Sequence, residues 1–144
     1  MTKKEAAQQL IAALNSGVAR RFQIGLVGYY IDGRPYAANA LTMDGHSTLD
    51  VIASADGFSS YAFFSPNLLA PETVAEYGVQ HGPDGTPFVT VRLEVKLCDV
   101  FLIAEDLGDH TDAWYFDQDV LATRMPEFRR LVPLWQGRRA MREH

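Results

Sequence analysis

The stretch FQIGLVGYYIDGRPYAANAL, residues 22–41, decides the fold. Both halves are rich in aromatic and β-branched residues and show no helical period, so each reads as a strand. Asp32-Gly33 at the midpoint is the dipeptide that a two-residue hairpin turn favours, because both turn residues must adopt positive φ. Working outward, MDGH (residues 43–46) reads as a second turn before STLDVIAS, and Asp56-Gly57 as a third before FSSYAFFS. Closely spaced Asp-Gly turns predict an antiparallel arrangement rather than parallel strands joined by long helices.

On either side the period changes. Thr2 followed by Glu5 has capping-box spacing, and Ala7, Leu10, Ile11, Leu14 and Val18 fall on one helical face. An amphipathic helix is therefore expected over residues 2–19, packed on the sheet. SPNLLAPETVAEYG interrupts the strands, with Pro71 suited to the first turn of a short helix. After a turn in HGPDGTP come the long strand 88–97 and the apolar run DVFLIA. LGDHTD reads as a loop, AWYFDQDV as a last strand or the approach to a helix, and residues 120–131 as a helix disturbed by Pro126. The expected fold is α+β: a mainly antiparallel meander sheet of about six strands, the N-terminal helix on it, and short C-terminal helices. Residues 1–144 read as a single globular domain with a basic C-terminal tail at about 134–144.

Charge is unevenly distributed. Residues 1–120 carry seven Lys or Arg against sixteen Asp or Glu, a balance of −9, and residues 121–144 carry six Arg against two Glu, a balance of +4. An acidic body disfavours nucleic acid, whose phosphates are bound by displacing counterions with Lys and Arg. Cys98 is the only cysteine, so no disulfide forms within one chain; it reads as a small buried hydrophobe in a cytoplasmic protein. No apolar run is long enough for a membrane span. The N-terminal segment is too broken by Glu5, Gln8, Gln9 and Asn15 to read as a secretory leader. The four histidines lie in turns or at the end of the chain without i, i+4 spacing, and neither a nucleophile elbow nor a dinucleotide fingerprint occurs.

Within FVTVRLEVKL, Val89, Val91, Leu93, Val95 and Leu97 point one way, while Phe88, Thr90, Arg92, Glu94, Lys96 and Cys98 point the other. On the wet face, alternating Arg, Glu and Lys suit cross-strand pairing. Pro83-Asp84 followed by Glu94-x-Lys96 also resembles the signature of the PD-(D/E)xK nuclease superfamily. That resemblance spans about fifteen residues and implies that Asp84, or Asp50 in its place, joins Glu94 to ligate Mg²⁺ while Lys96 helps activate a water. Outside that alternative no cofactor is expected.

The leading expectation is a small, non-enzymatic, cytoplasmic binding or regulatory protein that binds a protein partner. Its size and acidity are those of bacterial or phage immunity proteins, inhibitors and chaperones. Candidate binding residues are Asp106, Asp109, His110 and Asp112 in an acidic loop suited to a basic partner, with Tyr61, Phe63, Trp114 and Trp135 as aromatic contacts, in a possible homodimer. A third alternative is a small-ligand pocket between sheet and helix lined by Tyr29, Tyr30, Tyr61 and Trp114.

Overall fold

The computed structural model describes residues 1–44, 51–54 and 56–132. The expected turn around residues 45–46, Asp50 and the basic tail with Trp135 lie outside those residues. Helix α1 spans Lys3–Asn15. The Thr2 hydroxyl accepts from the Glu5 N–H at 3.1 Å and donates to the Glu5 carboxylate at 2.9 Å, so the expected cap forms. Ala6, Ala7, Leu10, Ala13 and Leu14 are buried. Gly17, at φ +74°, takes the left-handed conformation that stops a helix, and Val18 beyond it is exposed rather than on the apolar face.

The strands are β1 (Arg21–Leu26), β2 (Gly28–Ile31), β3 (Arg34–Ala37), β4 (Ala40–Asp44), β5 (Val51–Ser54), β6 (Gly57–Phe64), β7 (Gln80–His81), β8 (Pro87–Lys96), β9 (Val100–Asp106) and β10 (Thr111–Phe116). All pairings are antiparallel. One sheet has the order β10-β9-β1-β4, and the other β3-β2-β8-β6-β5 with β7 on β8. The architecture is thus α+β and antiparallel, with ten strands in two sheets where about six in one were expected. The difference lies in bending. Residues 22–31 break at Val27 into β1 and β2, residues 34–41 break into β3 and β4, and β8 passes to β9 through a tight turn at Leu97–Asp99. The three breaks are bonded to one another. Val27 N–H donates to the Asp99 carbonyl at 2.8 Å, Ala38 N–H to the Val27 carbonyl at 3.3 Å, and Leu26 N–H to the Asn39 carbonyl at 3.3 Å. The strands therefore turn a corner together, with a bulge between Gly25 and Leu26.

The corner closes one apolar core between the sheets, including Phe22, Ile24, Phe58, Leu93 and Ile103, none more than 1% exposed. Helix α1 packs against β5, β9 and β10. At the hairpin tip Asp32 (φ +52°) and Gly33 (φ +77°) form the two-residue turn expected. Helix α2 (Pro71–Tyr77) starts on Pro71, stops at Gly78 (φ +82°), and is pinned by a buried Tyr36–Thr73 hydroxyl bond of 3.2 Å. Helix α3 (Met125–Leu131) follows a widened π-turn over Val120–Arg124. Pro126 has no N–H and its ring needs clearance from the Ala122 carbonyl, which the wider turn gives. Gly28 has no Cβ because one would overlap the Phe128 ring of α3, and one at Gly25 would overlap Phe101. The close approach at these two glycines is thus made by α3 and β9.

The corner is locked by an ion pair between buried Asp99 and half-buried Arg124. Asp99 is fully buried, and its Oδ1 accepts from Arg124 Nη2 at 2.6 Å and Nε at 3.1 Å, holding the Arg124 pKa above its ordinary value. Oδ2 has no hydrogen-bond partner among the described residues. Removing Arg124 strands a buried carboxylate, so Arg124→Met is expected to lower stability in urea unfolding by about 3–5 kcal/mol. Glu127→Ala, which removes only an exposed 3.4 Å partner of the same arginine, is expected to change it by less than about 0.5 kcal/mol.

Candidate functional site

Alternation along β8 turns Val89, Val91, Leu93 and Val95 into the core and leaves Phe88, Thr90, Arg92, Glu94 and Lys96 on the opposite face. Register fixes their neighbours: Gly57 lies opposite Lys96, Ser59 opposite Glu94, Tyr61 opposite Arg92 and Phe63 opposite Thr90. On the other side Tyr30 of β2 lies opposite Glu94. The Arg92 guanidinium sits 5.7 Å from the Tyr61 ring centre, and the Lys96 ammonium 4.3 Å from that of Tyr30. Phe63 and Phe88 meet edge to face at 5.7 Å, with Phe63 53% exposed. The result is an outward face of aromatic rings, each of two tyrosines paired with a cation, around a central carboxylate.

A recess opens on either side of Glu94. One, of about 460 Å³, is lined by Ser54, Asp56, Gly57, Lys96 and Cys98 as well as Glu94. Gly57 on its lining can only be glycine, because a Cβ there would overlap the Val95 carbonyl. Cys98 is exposed rather than buried as expected, since the strand ends at Lys96 and the turn at Leu97–Asp99 carries it outward. The other recess, of about 180 Å³, is lined by Tyr30, Asp32, Ser59, Tyr77, Arg92 and Glu94. Tyr77 donates to Asp32 Oδ1 at 3.0 Å, and burial together with that bond pushes its pKa up to about 12. Asp32, Ser59 and Tyr77 did not figure among the expected binding residues, and Tyr30 figured only as lining of the pocket expected between sheet and helix. Alternation does put Tyr30 on this face, but the Tyr77–Asp32 bond joins residues 45 apart and leaves no local signal.

The remaining candidates fall elsewhere. Asp84 is bound into its own turn, its carboxylate accepting from the Thr86 N–H at 3.0 Å and the Thr86 hydroxyl at 2.8 Å, which hold its pKa low. Glu94 lies seven residues beyond Pro87 along β8, roughly 20 Å away at strand rise. The two carboxylates expected to share Mg²⁺ are therefore not brought together. Among the described residues no three His, Cys, Asp or Glu group closely enough to hold a metal ion.

The acidic loop is the tip of the β9–β10 hairpin. Asp106 Oδ1 accepts from the Gly108 N–H at 2.9 Å, His110 Nδ1 lies 2.6 Å from Asp109 Oδ1, and Asp112 is exposed opposite Glu105. Arg20 grips Glu105 through two nitrogens at 2.8 and 2.9 Å and holds its pKa low. Trp114 lies edge-on to buried Phe22 at 5.3 Å under the Arg20 guanidinium, so it covers core rather than offering an exposed contact. Tyr29 is buried against Tyr36 and Phe64, on the opposite side of β2 from Tyr30. Tyr29, Tyr30, Tyr61 and Trp114 thus do not converge on one pocket.

No helix among the described residues is long and apolar enough to cross a membrane. No protein-family model, curated protein or solved structure matches the chain.

Because the Tyr77 pKa is raised from 10.0, its contribution to stability is complete below about pH 10 and lost as pH rises through about 12. In an alkaline absorbance titration one of the six tyrosines is expected to ionise near pH 12. Tyr77→Phe is expected to remove that step, and Asp32→Asn to bring it to lower pH.

Proposed function

We propose that this chain is a small non-catalytic binding protein, of immunity, inhibitor or chaperone type, which holds a protein partner on the outward face of β6 and β8. The observation that carries the reading is the Phe63–Phe88 pair on that face, with Phe63 more than half exposed beside the Tyr61–Arg92 pair. Exposed Phe has little to gain within the chain. Phe, Tyr and Arg are the residue types enriched where interfaces lose water: the rings bury a large area while ordering only two torsions each, and the planar guanidinium stacks and hydrogen-bonds at once. The acidic hairpin is a weaker anchor, because Asp106, Asp109 and Glu105 already satisfy local donors.

Phe63→Ser is expected to weaken partner binding about thirtyfold, the effect of losing an interface anchor. Its exposure means that stability is expected to move by less than about 0.5 kcal/mol. The check is quantitative affinity capture with the wild-type chain, Phe63→Ser, and a paired Asp109→Lys, Asp112→Lys variant. A protein held by the wild type and the loop variant but released by Phe63→Ser supports the face. A partner that Phe63→Ser keeps and the loop variant loses moves the interface to the hairpin and overturns the proposal.

A further inference from the structure

We infer that the partner on this face is a second copy of the chain, related by a two-fold axis that crosses β8 between Arg92 and Glu94; the inference rests on the binding face just proposed. An axis parallel to the sheet, just above its outward face and perpendicular to its strands, brings the outward face against itself with the strands reversed. Residues equally distant from the axis then oppose each other. On β8 Arg92 meets Glu94 of the second copy, and Glu94 meets its Arg92. Each charge faces its opposite twice, as an isologous interface requires.

The same operation matches shape. On β6 the axis passes between Ser59 and Tyr61, because these lie opposite Glu94 and Arg92. Tyr61 then opposes Ser59, and Phe63 opposes Gly57. Gly57 is the residue without a side chain on the lining of the 460 Å³ recess, and Phe63 is the exposed ring at the other end of the same strand. One end of the face is thus a projection and the other a hollow of the same register. A two-fold axis seats each projection in the other copy's hollow. No shift in register is needed to satisfy charge and shape together. A face designed only to stay wet has no reason to place its bulk and its gap at equal distances from its opposite charges.

Each single reversal, Arg92→Glu or Glu94→Arg, sets like charges against each other, and self-association is expected to weaken about tenfold or more. In a mixture of the two variants, one copy offers two carboxylates and the other two guanidinium groups, so the mixture is expected to dimerise where neither variant does alone. Sedimentation of the wild type, each variant and their equimolar mixture reads this directly. Loss of charge balance or of local packing within one chain does not produce rescue by mixing, so that result identifies the paired arrangement. A wild type that sediments as a monomer, or a mixture no more associated than its components, overturns the inference. If a foreign protein is still released by Phe63→Ser in that case, the binding face stands and only its assignment to a second copy falls. If neither a foreign protein nor self-association responds to Phe63→Ser, both fall.

Discussion

The ion pair between buried Asp99 and Arg124 is the constraint on which the rest of the structure depends. Asp99 sits in the turn where β8 becomes β9, and its carbonyl receives the N–H of Val27, where β1 becomes β2. Backbone and side chain thus hold the two central strand pairs at their common bend. A carboxylate with no exposure tolerates this position only because a guanidinium reaches it from the C-terminal helical segment. The same bond tethers that segment to the sheets, so the last described helix and the corner are fixed by one contact. With the corner set, the inner faces of both sheets meet, and the apolar alternation of β1, β6 and β8 becomes a core.

How the helices are then placed determines what is left bare. Helix α3 takes the end of the second sheet where Gly28 admits the Phe128 ring. Helix α2 seals the side near β3 through Tyr36 and Thr73, and α1 covers β5, β9 and β10. Among the described residues no helix covers the outward side of β6 and β8 around Tyr61 and Phe63, which carries rings and charges. Its polarity there is layered: cations lie over tyrosine rings, and carboxylates border the recesses.

Much of this was legible in the sequence, for identifiable reasons. The Thr2 cap, the Asp32-Gly33 turn, Pro71 at a helix start and the alternation of residues 88–96 are local signals, and each appears where expected. The bends were not legible. Val27 carries no turn chemistry and Asn39 stands without a Gly or Pro beside it, and what breaks the strands is their bonding to one another and to Asp99. Cys98 was misread for the same cause, since a run of alternating residues does not reveal where its strand stops. On the β6–β8 face, composition singles out Tyr61 and Phe63, the nuclease-like spacing singles out Glu94 and Lys96, and alternation places Tyr30. Tyr77 enters only through a contact between distant segments. Of the nuclease-like pairings, that of Asp84 with Glu94 is not formed, because an extended strand carries Glu94 away from a turn in which Asp84 is already bonded, and Asp50 lies outside the described residues.

The order of strands also constrains how the chain reaches this state. The strand at the centre of the first sheet, β1, has β9 as one of its two neighbours, and the Arg20–Glu105 pair beside them closes a separation of 85 residues. Lys3 reaches the Leu97 carbonyl across 94. During synthesis Phe22 and Ile24 therefore emerge long before the segment that covers them. The early hairpins form with one side of their central strand unoccupied, and the core assembles late, in a step dominated by long loop closures. Until β9 is made, a nascent chain of this kind carries an open, apolar strand edge, the form in which chains associate wrongly or recruit a holding factor.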